Sequence, residues 1–179
     1  MHSLIRTAEN SLLLSLSMSE RVIDRPSKKD GAAIWRIARD SGKLDLNSSY
    51  AYLLWCHDFA DTSAVARVGD DVVGFVIGYL RPQAPDTVVV WQIAVDAGQR
   101  GKGTAAALLD ALVRSTGARR METTITPDNN ASNALFRSLA DRWGAEMSVA
   151  GEFSAGEFPD DHDSEVLYRI GPFREARAA

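Results

Sequence analysis

Cysteine is almost missing from this chain. Cys56 alone permits no disulfide within the chain and no metal site built on several cysteines, and a reducing, cytoplasmic setting fits that scarcity. Internal repeats and low-complexity tracts are also lacking, which leaves an ordinary globular composition, 45% hydrophobic and 25% charged. There is no surplus of positive charge. Twenty Lys and Arg stand against 24 Asp and Glu, for a net −4 and a pI near 5.4. That balance speaks against a general nucleic-acid binder. Long apolar runs are missing too. The one suspect, SLLLSLSM, follows Glu9, is not followed by a small-x-small cleavage site and is far too short to span a bilayer. Neither export nor a membrane partner is expected. Residues 1–18 read as a poorly ordered extension, 19–173 as one domain and 174–179 as a tail; 179 residues suffice for one core.

What is present alternates between strand and helix signals. RVIDRP predicts a short strand stopped by Pro26, and Ser27 with Asp30 marks a cap for a helix through AAIWRIARD. That helix turns Ile34, Ile37 and Ala38 or Trp35 inward and ends at Gly42. LDLNSSYAYLLWCHDF reads as a polar loop and a second helix, with Tyr50, Leu53, Leu54 and His57 at helical spacing. SAVARV, the turn Gly69-Asp70-Asp71 and VVGFVIGYL form a hairpin closed by Pro82 and Pro85. TVVVWQIAV is apolar throughout, as suits a central strand. Next come a helix over TAAALLDALVRS with Leu108, Leu109, Leu112 and Val113 inward, a strand at METTITP and a helix over NASNALFRSLADRWG capped by Gly144. GEFSAGEFPDDHDSEVLYRIGP reads as mostly loop with a final strand. The order implies a mixed, largely antiparallel sheet flanked by helices, without the strict alternation of a doubly wound fold.

Between the central strand and its helix stands QRGKGTAA, a basic glycine loop suited to an anion. An ATP-type phosphate loop would need Ser or Thr directly after the lysine, and Lys102 is followed by Gly103. Gly101, Gly103 and Ala106, with Glu122 about 20 residues beyond, imitate a dinucleotide fingerprint. Its context fails, because Asp96 to Arg100 separate the first glycine from the strand. R-G-K-G-T-A, Arg100 to Ala105, resembles the R/Q-x-x-G-x-G/A signature of the GCN5-related N-acetyltransferases (GNAT). The resemblance extends from about Pro26 to Pro172. DLNSSYAYLL, VWQIAVD, TITPDNNAS followed by ALF, and LYRIGP narrow it to the members that acetylate the 4-amino group of L-2,4-diaminobutyrate in ectoine biosynthesis.

That resemblance implies the single-domain α/β (α+β) fold of the family, acetyl-CoA as cosubstrate and no metal. Ile93, Ala94 and Val95 would offer strand backbone to the pantetheine arm and thioester. Arg100, Gly101, Lys102, Gly103, Thr104 and Ala105 would hold the pyrophosphate, and Asn129 would bond the cofactor arm. Phe136 falls where a Tyr commonly protonates the departing thiolate, so the general acid is left open. The partners expected are a small diamino acid, with no nucleic acid and no membrane; a homodimer is admitted. Other outcomes compatible with the motif are another small amine, a peptide N-terminus, or an acetyl-CoA-binding module without turnover.

An alkyl amine with a pKa of ~10.4 must lose a proton before it attacks, at a cost of about 4 to 5 kcal/mol at neutral pH. The site therefore needs a proton acceptor, anionic groups for a dicationic diamine, and a partner for the carboxylate. The acids and polar groups in suitable places are Asp45 and Tyr50 in the loop between the first helices, expected to hold the α-amino end and to serve in catalysis, and Glu122, placed with Thr124 beside the cofactor strand, as the base. Trp91 and Gln92 are candidates to wall the substrate pocket, and His162 in PDDHDSE to close over it. Each also has a plain reading: turn former, ion-pair partner, core tryptophan or solvated loop histidine. Cys56 and His57 are read as packing residues.

Overall fold

Pro26 ends β1 (Arg21–Asp24), and the next residues cap a helix as their types require. The Asp30 carboxylate accepts hydrogen bonds from the Ser27 N–H (2.7 Å) and hydroxyl (3.1 Å), and from both ends of the Arg67 guanidinium at 3.0 and 2.9 Å. Burial alone would raise its pKa; Arg67 and Ser27 hold it below the ordinary value. Helix α1 (Gly31–Ser41) follows, with Ile34, Ile37 and Ala38 buried, and ends at Gly42 in the left-handed region. The computed structural model describes residues 20–174; the extension and all but the first residue of the tail lie outside them.

The remaining elements are α2 (Ser49–Asp58), β2 (Ala64–Val68), β3 (Asp71–Arg81), β4 (Ala84–Val95), α3 (Thr104–Thr116), β5 (Arg120–Ile125), α4 (Asn130–Arg142), β6 (Glu146–Phe153) and β7 (Glu165–Gly171). The sheet has seven strands in the order β1-β2-β3-β4-β5-β7-β6, and β4 with β5 is its one parallel pair. On one face α3 and α4 bury Leu108, Leu109, Leu112, Phe136 and Leu139 against Met121 and Ile170. On the other, α1 and α2 cover β2 and β3 through Ile34, Ile37, Tyr52, Phe75 and Ile77.

Three sequence expectations are corrected. Helix α2 buries Tyr52 and Cys56 and leaves Tyr50 and Leu53 66% and 40% exposed. Its sequence is apolar nearly all round, so spacing offers two faces; the Tyr52 ring decides, meeting Phe75 edge-on at 6.5 Å. Pro85 lies inside β4 near its start and does not end the hairpin there. Residues 145–150, given no element, and the start of the stretch read as loop from Gly151 hold β6, an edge strand whose side chains are mostly exposed and whose register shifts between Val149 and Gly151, so neither periodicity nor hydrophobicity announces it.

Two irregularities shape the centre of the sheet. The β4–β5 ladder pairs Thr87 to Val90 with Arg120 to Thr123, yet β4 continues to Val95 and β5 to Ile125, so the strands part beyond Val90. In the same place Ile77 opposes Gln92 while Gly78 opposes Val90, which makes Trp91 the extra residue of a bulge. Gly78 allows it: a Cβ there would collide with the Val89 carbonyl oxygen.

Candidate active site

The glycine loop follows the parted end of β4. Gly101 and Gly103 have φ of 73° and 72°, a conformation that favours glycine, and Gly103 caps α3. The open side in front of them is empty: a Cβ at either would meet nothing within 4 Å. The loop is tied down from behind. Arg36 of α1 grips the Asp96 carboxylate at 2.9 and 3.1 Å, and Arg21 of β1 donates to the Lys102 carbonyl (2.8 Å) and the Thr104 hydroxyl (3.1 Å). Outside helices and strands, Gly101, Lys102 and Gly103 donate no backbone hydrogen bond to another backbone group among the described residues. Those N–H groups, the positive end of α3 and the exposed Arg100 and Lys102 together form an anion cradle.

A cleft of about 620 Å³ lies where the strands part, lined on the β4 side by Gln92 and Ile93 and on the α4 side by Asn129, Ser132 and Phe136. Beyond Val90 no β5 residue pairs with β4, so the β4 edge from Trp91 to Val95 is unpaired on that side, and Ile93 lines the cleft. Asn129 caps α4, its side-chain oxygen accepting from the Ser132 N–H at 3.0 Å. Phe136 is 2% exposed and offers no proton.

At the far end the α1–α2 loop and the β6–β7 loop meet. His162 Nε2 lies 2.9 Å from an Asp45 carboxylate oxygen and 3.6 Å from Glu165, while its Nδ1 lies 2.7 Å from the Asp163 carbonyl. Both ring nitrogens face acceptors, an arrangement that only the doubly protonated ring satisfies. Its pKa is accordingly raised, first by the Asp163 carbonyl, then by Asp45, with Glu165 adding to it. Phe158 stacks on the ring at 4.2 Å. Asp45, His162 and Glu165 offer ligand atoms within 4.8 Å of one another. Two carboxylates around one imidazolium leave a net negative pocket, suited to an ammonium group.

A buried chain sets this loop. The Tyr52 hydroxyl donates to the Gln92 side-chain oxygen (3.0 Å), and the Gln92 amide donates to the Asp45 carbonyl (2.7 Å). Gln92 is thus a support for Asp45 as well as a wall. Trp91, 53% exposed on its bulge, lines the cavity and leans on Trp55 at 5.9 Å. Thr124 also lines it.

Two expected site residues fall elsewhere. Tyr50 is on the exposed side of α2 and does not line the cavity, because Tyr52 takes the inward position. Glu122 is 2% exposed, lies outside the cavity lining, and has its carboxylate held by Arg169 at 2.8 Å and by Arg81. One oxygen accepts from Arg169 and the other, buried and without a hydrogen-bond partner, lies in ion contact with Arg81; the carboxylate is closed off from the cavity, so it is not offered as the base. Sequence reasoning missed Tyr52, Arg81 and Glu165. The i, i+3 spacing of His162 and Glu165 was a usable signal; Arg81 had none, since its role depends on the strand pairing that brings β3, β5 and β7 together.

A sheet parted beside a glycine-rich loop at a helix N-terminus defines an acyl-CoA-type transferase frame, and the chain belongs to the acetyltransferase (GNAT) family, whose profile matches residues 31–140. Within it the chain is similar to L-2,4-diaminobutyric acid acetyltransferases. It is 56% identical over 165 residues to that of Streptomyces coelicolor, covering 89% of this chain and 97% of the relative, and 50% identical over 173 residues to that of Nocardia farcinica, covering 95% and 90%. The structure matches diaminobutyrate acetyltransferase EctA from Paenibacillus lautus, solved with its substrate L-2,4-diaminobutyric acid and coenzyme A, with a TM-score of 0.83 and 38% identity over 90% of this chain and 100% of that one. Likeness to Ard1 from Thermoplasma volcanium, with a TM-score of 0.69 at 20% identity, shows the fold alone.

Proposed function

We propose that this chain transfers the acetyl group of acetyl-CoA to the 4-amino group of L-2,4-diaminobutyrate, the acetylation step of ectoine biosynthesis, in a reducing cytoplasm. The observation that carries the reading is a cleft that runs along an unpaired strand edge to an acidic pocket, with an anion cradle in the loop that follows the same strand. The names of the relatives, at 50% and 56% identity over most of the chain, support the same acceptor.

The residues fit acetyl-CoA. Arg100 to Ala105 would hold its pyrophosphate, the strand edge at Ile93 to Val95 its pantetheine arm, and Asn129 the same arm from across the cleft. The cosubstrate supplies an activated thioester; the protein supplies position and a place for a proton. Asp45 and Glu165, beside the His162 imidazolium, would bind one ammonium of the diamine; it gives up a proton to a carboxylate or to water to become the neutral nucleophile. The proton freed from nitrogen as the amide forms leaves by the same route, and coenzyme A departs as its thiolate. Backbone N–H groups on the β4 edge would stabilise charge developing on the carbonyl oxygen, worth ~3 to 4 kcal/mol per donor in comparable sites. Holding amine and thioester side by side supplies the rest by orientation.

The test is thiol release from acetyl-CoA with a panel of diamino acids, followed by proton NMR of the product. Release with diaminobutyrate giving 4-acetyl product is expected. Cofactor binding without release on any member would overturn the reading in favour of a binding module.

A further inference from the structure

We propose that Arg81, held against the cavity wall by Glu122, binds the carboxylate of the amino-acid acceptor and thereby decides which of its two amines meets the thioester. This rests on the proposed acetylation of diaminobutyrate and supplies the recognition that reading leaves unassigned.

The charge balance is the first reason. One buried carboxylate, Glu122, faces two guanidiniums, Arg81 from β3 and Arg169 from β7. The group carries one positive charge in excess. Arg81 lines the cavity and Arg169 does not. Of the five Arg81 donors, Glu122 takes only the end it faces, and the buried Nε has no hydrogen-bond partner. The other lysine or arginine lining the cavity is Lys43, an exposed side chain at its rim.

Register supplies the second reason. Glu122 lies opposite Val89 in β4 and Arg169 in β7. Ile125 lies opposite Val166, so Glu165 stands one residue past that pair, at the level Ile93 would occupy if the β4–β5 ladder continued. Glu165, Leu167 and Arg169 share one face of β7, and at ~3.4 Å per residue the backbone levels of the acidic pocket and of the arginine clamp are separated by ~14 Å along the strand. Diaminobutyrate spans ~6 Å from its 4-amino nitrogen to its carboxylate by ordinary bond lengths, and a hydrogen bond of ~3 Å at each end brings the span to ~12 Å. The two lengths agree to within ~2 Å.

The orientation follows. With the carboxylate on Arg81, the adjacent α-amine stays at the level of Val89 and Trp91, below the parted strands. The 4-amine reaches Asp45, His162 and Glu165, level with the thioester-binding edge at Ile93. This reverses the end of the substrate that sequence reasoning gave to Asp45. Glu122 is then a positioning residue: it fixes Arg81 and touches no substrate.

The experiment compares diaminobutyrate with 1,3-diaminopropane, the same diamine without its carboxylate, in the full-length protein. Wild type is expected to favour diaminobutyrate by at least ~100-fold in kcat/KM. In Arg81→Gln that ratio should collapse to below ~5, mainly through a higher KM for diaminobutyrate, and some 2-acetyl product should appear by NMR. Arg81→Lys should restore part of the ratio. Glu122→Gln should raise the same KM by a smaller factor and leave the pH profile of kcat in place. Equal losses on both substrates in Arg81→Gln, or collapse of the ratio in Lys43→Met in place of Arg81→Gln, would overturn the proposal. Should Arg81→Gln not fold, wild type decides alone: failure to prefer diaminobutyrate over its carboxamide would overturn it. Wild type acetylating neither diamine would instead overturn the proposed function, and the inference with it.

Discussion

Two residues show how little chemistry need change to break the site. Gly103 has a φ of 72° and nothing within 4 Å of a Cβ position, so a side chain there costs backbone strain and intrudes only on the ligand's space. Gly103→Asp is expected to lower acetyl-CoA affinity at least ~30-fold by calorimetry, because it adds a negative charge to an anion cradle; Gly103→Ala should lose less. Unchanged affinity in a folded Gly103→Asp protein would remove the cradle from the cofactor site. Glu122 is the opposite case, a buried anion whose loss strands two cations. Breaking a buried pair costs about 3 to 5 kcal/mol, and the half-exposed side chains of Arg81 and Arg169 reduce that to about 2 kcal/mol. Glu122→Gln should therefore melt ~5 °C below wild type. An unshifted melting curve would show that the clamp contributes nothing to the fold.

At the scale of elements, the geometry of the acidic pocket depends on two loops from distant parts of the chain. The α1–α2 loop is set by Tyr52 and Gln92, and the β6–β7 loop reaches it through His162 and Asp45. The groups facing the imidazole are Asp45 from the first loop, the Asp163 carbonyl and the Phe158 ring from the second, and Glu165 at the start of β7. A histidine pKa raised by folding adds stability that is complete below its ordinary value of 6.5 and is lost as pH rises through the raised one. Amide exchange in residues 154–164, corrected for intrinsic rate, should thus be slower at pH 6 than at pH 9. His162→Gln should remove that difference. Equal pH dependence in the two proteins would show that the ring does not latch the loops.

For the whole molecule, the sheet carries one hydrophobic cluster on each face, one under α3 and α4 and one under α1 and α2, and the proposed cofactor would enter where β4 and β5 part between them. A ligand that binds only the folded chain stabilises it by ~2.7 kcal/mol at a hundredfold excess over its Kd. Acetyl-CoA should raise the melting temperature by ~5 to 10 °C at that excess, and should give no comparable rise in Gly103→Asp. A wild-type curve insensitive to acetyl-CoA would contradict a site that spans both halves.

The local signals in the sequence were strong wherever a single element had to satisfy its own chemistry. Ser27 and Asp30 form the capping box of the 3-10 turn that leads into α1, Leu108 to Val113 bury one face of α3, and the glycines of Arg100 to Ala105 take the left-handed conformations their residue type permits, because caps, periodicity and φ are properties of a few adjacent residues. The placement of Asp45 and His162 in one pocket was also legible in part, through longer matching stretches. Other features were settled by pairing across the sheet. Whether Tyr50 or Tyr52 faces inward depended on Phe75 and Gln92; whether residues 146–153 formed a strand depended on β7 being there to accept their hydrogen bonds. Glu122 had the right type and strand for a base, and only the folded sheet set Arg81 and Arg169 against it, since an ion pair between residues from β3, β5 and β7 leaves no pattern along the chain.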